Sequence, residues 1–255
     1  MNFFTVWKIA LIGLWMSAAT FAAETAESDS SMLRVGVSPV FPPMIFKQGK
    51  ELAGVEIELA RQFAQETGRE VTFVVLPWED QIEALGEGKI DIVMSSMSIT
   101  AARKWVVDFS RPYLLVGQMT LVRREDLGKY ILGFPLKPPG TVGVLKATTG
   151  EFLVHREFPK AKRKTYATEV QAVQALQKKK IDLFISDSSL ICYLAGTHAS
   201  EGLAAVPLTL SQEPLGWAVR KGNEKLLESA NSFLKKASDD GRLNQILRRW
   251  MAVPE

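Results

Sequence analysis

Residues 95–103 read "SSMSITAAR", directly after the apolar run Ile92, Val93 and Met94. Hydroxyls stand at Ser95, Ser96, Ser98 and Thr100, and Arg103 follows Thr100 by three. A hydrophobic strand surfaces here into polar groups, with Thr100 suited to cap a helix start and leave backbone N–H groups pointing outward. A helix start favours an anion. A guanidinium adds a planar fork that meets a carboxylate with two parallel hydrogen bonds. Together these residues describe a carboxylate receptor. A capped helix with a surface arginine has the same sequence, and the stretch by itself does not separate the two.

A second copy of the pattern supplies the opposite charge. "ALGEGKIDIVMSS" begins at Ala84 and "ALQKKKIDLFISD" at Ala175; both read Ala-Leu, three residues, Lys-Ile-Asp, three apolar residues and Ser. Ser96 in the first copy corresponds to Asp187 in the second. A carboxylate at that strand end favours an ammonium group, although Asp187 is equally placed to cap the helix over "SLICYLA". If the two copies face each other, one offers an anion site and the other a cation site, which suits a small zwitterion such as an α-amino acid. Thr149 adds a hydroxyl, and Phe41 and Trp78, each just beyond a predicted strand, supply rings that can sandwich a ligand or face its ammonium.

These residues need a scaffold that brings strand ends together. "RVGVSPVFPP" from Arg34 and "TVGVLKATTG" from Thr141 form another echo, so the chain reads as two related halves. The first half predicts strands at "LRVGV", "VTFVVL" and "IDIVMS", with helices over "GVEIELARQFAQETG" and "WEDQIEALGEG". The second predicts "TVGVL", "KRKTYA" and "IDLFIS", with helices near 149–157 and over 168–179. Alternating strands and helices imply α/β lobes whose parallel-rich sheets carry helices on both faces. Ligands bind beyond the carboxyl ends of such strands. "MTLVRR" and "GFPLKPPG" read as the crossing between lobes, and the helices after "GWAVRKGN" as a return to the first.

Composition narrows the classes. In 255 residues, 47% hydrophobic and 23% charged is a globular balance, with room for two domains. A net charge of +3 demands no acidic partner, and "KAKRK" and "KKK" read as solvated faces, not as a nucleic-acid surface. The single cysteine, Cys192, makes no internal disulfide and reads as a small buried hydrophobe; the two histidines, His155 and His198, have no ligand-spaced partner, so no metal is expected. Lys8, the apolar run to Ala23 and the small residues of "AATFAA" have the layout of a cleaved secretory signal. The expected division is a signal over 1–23, an unstructured segment over 24–32, a first lobe from 33–117 and 212–255, and a second lobe over 118–211.

From about Leu33 to Trp250 the sequence resembles the periplasmic solute-binding proteins of polar amino acid ABC transporters. The likeness is carried by "VFPPMIF", "PWEDQIEALGEGKIDIVMSSMSITAARKWVVDFSRPYL", "VGVLKATTG", "KKIDLFISD" and "GWAVRKGN". It implies a two-lobed periplasmic binding protein type II fold, hinged on two crossover strands. It implies that Arg103, with Ser96 and Ser98, holds an α-carboxylate, that Asp187 holds the α-amino group, and that Phe41 and Trp78 are pocket rings. It further implies a periplasmic monomer without cofactor that delivers an amino-acid-like ligand to a membrane permease. Three positions depart from the family: Ser38 where an aspartate often accompanies basic ligands, Ile45 for a frequent acid, and Ala147 for a usual glycine. A same-fold enzyme of the cyclohexadienyl dehydratase type and an orphan sensory binding protein are the alternatives. An enzyme needs a proton donor in the cleft, and neither histidine lies near a predicted strand end.

Overall fold

The computed structural model describes residues 31–131 and 140–251. The expected signal over 1–23, residues 24–30 of the segment after it, and nearly all of "GFPLKPPG" lie outside the described residues. Met32, expected in the unstructured segment, instead opens the first strand.

Two five-stranded sheets have the same plan. In the first, Met32–Val37 lies parallel between Glu70–Val75 and Ile92–Val93, and the antiparallel Ala218–Arg220 and then Val107–Phe109 complete it. In the second, Thr141–Leu145 lies parallel between Lys162–Tyr166 and Leu183–Asp187, followed by the antiparallel Gln118–Arg123 and then Leu203–Val206. Helices cover both faces of each. Val55–Glu66, Glu224–Asp239 and Arg242–Met251 pack on one side of the first sheet and Gln81–Gly86 on the other. Glu169–Gln177 and Ser188–Thr197 pack against one face of the second, and Thr149–Glu157 against the other. The central strands are buried on both faces, hence the predominance of Val, Ile and Leu in them.

The sequence echoes have a shared physical cause. In the first lobe, a Cβ on Gly36 would lie 2.3 Å from Ile90 Cδ1; in the second, a Cβ on Gly143 would lie 2.4 Å from Ile181 Cδ1. The glycine of Val-Gly-Val therefore makes room for the isoleucine of Lys-Ile-Asp, which leads into the neighbouring strand. The aspartate closes the same joint. Asp91 Oδ2 accepts from Arg34 N at 2.8 Å, while Asp91 N donates to Arg34 O at 2.8 Å. Asp182 Oδ2 accepts from Thr141 N at 2.6 Å, and Asp182 N donates to Thr141 O at 2.8 Å. Each lobe thus uses one motif to fix the start of its central strand and the other to let its third strand approach.

The crossing between the sheets differs from the expectation. "MTLVRR" belongs to Gln118–Arg123, a strand inside the second sheet, with Leu121 and Val122 fully buried. The crossing is made instead by Leu114–Val116 and Glu213–Leu215, which pair antiparallel. Cys192 is also corrected. Ser188–Thr197 turns Leu190, Ile191 and Leu194 inward, which leaves Cys192 on its exposed side.

Candidate ligand-binding cleft

The structure brings all nine residues singled out in the sequence, Ser38, Phe41, Trp78, Ser95, Ser96, Ser98, Arg103, Thr149 and Asp187, around one cavity of about 530 Å³ between the lobes. That size falls among small-molecule sites.

The first lobe contributes the turn after Ile92–Val93. Ser95 Oγ accepts from Ser38 N at 2.9 Å, joining the ends of two adjacent strands. Ser96 has φ of 54°, a left-handed conformation unusual for a serine. Its N–H donates to Glu56 Oε1 at 2.7 Å. Glu56 also accepts from Tyr113 Oη at 2.6 Å and from Trp217 Nε1 at 3.0 Å, and only 1% of its surface is exposed. Three donors thus hold a carboxylate beneath the turn, while burial pushes its pKa up.

Thr100 caps the following helix as expected, accepting from Arg103 N at 3.2 Å. That helix, Ala101–Lys104, is a single turn, too short for a macrodipole to matter. Attraction for an anion therefore rests on Arg103. Its Nη1 donates to Ser98 O at 2.9 Å, and its Cζ lies 5.2 Å from the Trp78 ring centroid. Burial lowers the guanidinium's pKa, opposed by the charges of Asp187 and Glu213; an arginine nevertheless stays protonated. The proton of Ser98 Oγ is engaged by Glu213 Oε2 at 2.9 Å, so this hydroxyl is left with acceptor capacity toward the cavity.

The second lobe contributes Asp187, 5% exposed at the end of Leu183–Asp187. It occupies the cap position of Ser188–Thr197, yet its side chain makes no capping bond. Asp187 Oδ1 instead accepts from Gln118 Nε2 at 2.6 Å, and the same amide donates to Thr149 Oγ1 at 3.2 Å. Burial, then the nearby charge of Glu213, push the Asp187 pKa up to about 7, against the pull of Gln118 and Arg103. Among the described residues neither Arg103 nor Asp187 forms an ion pair. Arg103 is a charge in need of a counterion, and Asp187 is an acid poised between its neutral and ionised forms.

Two contacts bridge the mouth. Trp78 Nε1 donates to Ala147 O at 3.0 Å, and Lys146 Nζ meets Glu79 Oε1 at 2.8 Å. Ala147 has φ of 58°, which explains why a glycine suits this place. Phe41 packs against hydrophobic clusters of both lobes.

Glu56, Gln118, Ser211 and Glu213 were not legible as site residues. Only Glu56 carried a signal: it shares the spacing of Leu59, Ala60 and Phe63, which puts a carboxylate on the buried stripe of its helix.

Paired hinge strands between two lobes of identical plan, with a cavity enclosed between opposite charges, define a two-lobed solute receptor. The chain belongs to the bacterial extracellular solute-binding proteins, family 3, whose sequence profile matches residues 33–253. It is 30% identical over 253 residues to the L-cystine-binding protein TcyJ of Escherichia coli (strain K12), covering 97% of this chain and 94% of that one. A solved binding component of an ABC transporter from Wolinella succinogenes, complexed with lysine, is 34% identical with a TM-score of 0.82, covering 87% of this chain and 96% of that one. The ancestral amino acid-binding protein AncCDT-1, a precursor of cyclohexadienyl dehydratase, is 35% identical with a TM-score of 0.79, covering 87% and 95%. These similar structures share the type II periplasmic binding protein fold.

Proposed function

We propose that this protein is the substrate-binding component of an ABC importer. It is exported to the periplasm, captures an α-amino acid or similar zwitterion between its lobes, and delivers it to a membrane permease. The observation that carries this reading is the placement of Arg103 and Asp187 on opposite lobes around one cavity, each without an ion-pair partner among the described residues. Arg103 meets the α-carboxylate and Asp187 the α-ammonium, so the ligand's two ends draw the lobes together. Phe41 and Trp78 cover its apolar part. The relatives' cystine and lysine support an amino-acid ligand without choosing one.

A thermal-shift screen against the twenty amino acids and L-cystine tests the reading. At least one is expected to raise the melting temperature, and Arg103→Ala is expected to abolish that shift while leaving the ligand-free melting temperature nearly unchanged. Undiminished affinity of Arg103→Ala by calorimetry would remove Arg103 from the site.

One observation favours a second reading, a dehydratase on the same fold. An acid with a pKa of about 7 facing a cleft can donate a proton at neutral pH. Incubation with arogenate or prephenate, followed by aromatic absorbance, separates the two: turnover supports the enzyme, its absence beside a thermal shift the carrier.

A further inference from the structure

Hydrogen bonds connect the two charged groups of the cleft through the hinge. Glu213 begins the returning crossover strand. Its Oε2 accepts from Ser98 Oγ at 2.9 Å, and Ser98 O in turn holds Arg103 Nη1 at 2.9 Å. Its Oε1 accepts from Ser211 Oγ at 2.7 Å. Ser211 Oγ accepts from Gln118 N at 2.9 Å, and Gln118 Nε2 donates to Asp187 Oδ1 at 2.6 Å and Thr149 Oγ1 at 3.2 Å. One carboxylate oxygen therefore serves the strand end of the first lobe, and the other serves the group holding the acid of the second.

Resting on the reading of this cleft as an amino-acid site, we propose that Glu213 is a positioning residue that sets the carboxylate anchor and the ammonium anchor in register when the lobes close. Hydroxyls and amides reorient freely unless a partner fixes them, and bonds to an ionised acceptor fix them most firmly. Without Glu213, Ser98 and Ser211 lose their common acceptor, and the path from Arg103 to Asp187 is cut at the hinge. The arrangement also places a like charge near Asp187, which helps keep that acid partly protonated in the empty cleft.

The full chain and its Glu213→Ala, Glu213→Gln, Ser211→Ala and Gln212→Ala variants are titrated by calorimetry. The titrants are L-arginine, L-lysine, L-histidine, L-glutamine and L-cystine, from acid to mildly alkaline pH. Glu213→Ala is expected to weaken binding about tenfold or more, as for loss of a hydrogen-bonded charged partner. Glu213→Gln is expected to restore most of that affinity, because an amide can accept from one serine and donate to the other. Both variants remove the charge beside Asp187, so the pH below which binding is lost moves downward. Ser211→Ala weakens binding with the pH limb unmoved, and the exposed Gln212→Ala binds as the unmodified chain does. Wild-type affinity and pH limb in Glu213→Ala overturn the proposal. Should that variant fail to fold, wild-type affinity in Ser211→Ala overturns it instead. Failure of the unmodified chain to bind any titrant counts against the amino-acid reading and is visible before any variant is compared.

Discussion

At the scale of single residues, the role proposed for Asp187 couples capture to protons. Its carboxyl is raised from 3.8 to about 7, so folding favours the protonated form across that interval. This group's stabilisation of the empty protein is full at low pH and is lost as pH rises through about 7. Ligand affinity runs the other way, because an ammonium needs the ionised acid. Binding near neutral pH is therefore expected to release protons, seen as a calorimetric enthalpy that varies with the ionisation enthalpy of the buffer. Asp187→Asn should remove that dependence and cost about 2–4 kcal/mol of affinity. Enthalpies identical across buffers would assign the proton elsewhere. Glu56 is a stability residue by contrast. Glu56→Ala strands Tyr113 Oη, Trp217 Nε1 and Ser96 N in the core and is expected to cost about 3–5 kcal/mol, read from the urea midpoint. The residues legible in the sequence were those at strand ends, where a break from apolar to polar marks exposure to a cleft. Gln118, Ser211 and Glu213 escaped because their roles come from partners far away in the chain. Nothing local to "SQEPLGW" distinguishes a hinge carboxylate from a solvated one.

At the scale of elements, the two echoes turned out to be two sides of one joint, with a glycine on one strand and an isoleucine and aspartate leading into the next. Adding a methyl to Gly143 should overpack this joint by about 1–3 kcal/mol, and shortening Ile181 to Val should recover part of the loss. A double-mutant cycle by chemical denaturation checks it, and simple additivity would mean the two side chains do not compete for the same space. The echo made the two related halves legible, because the same spacing of glycine, isoleucine and aspartate recurs in both, although the order of strands within each sheet could not be read from it. The crossing was not legible. "MTLVRR" contains a buried apolar pair and two arginines that also suit a surface connector, whereas Leu114–Val116 is a strand of three residues too short to show a period. Cys192 was misjudged for a similar reason. The apolar run "LICYLA" is continuous, so its inward face could be read only once the helix was set against its sheet.

At the scale of the whole molecule, the lobes meet through contacts that belong to neither anchor. Trp78→Phe keeps the ring but removes the N–H donated to Ala147 O. The loss is worth about 1 kcal/mol and should shift the ligand-free population toward open forms, read as a larger radius of gyration in solution scattering. Radii unchanged between the two proteins would show that the tryptophan bond does not hold the lobes. The Lys146–Glu79 pair lies in solvent, so its share should fade as salt is added. Since both clasps are made by protein groups alone, they favour the shut shape independently of any cargo. On the proposed reading, an amino acid tied to Arg103 and Asp187 adds to that bias and lengthens the time the two halves stay together.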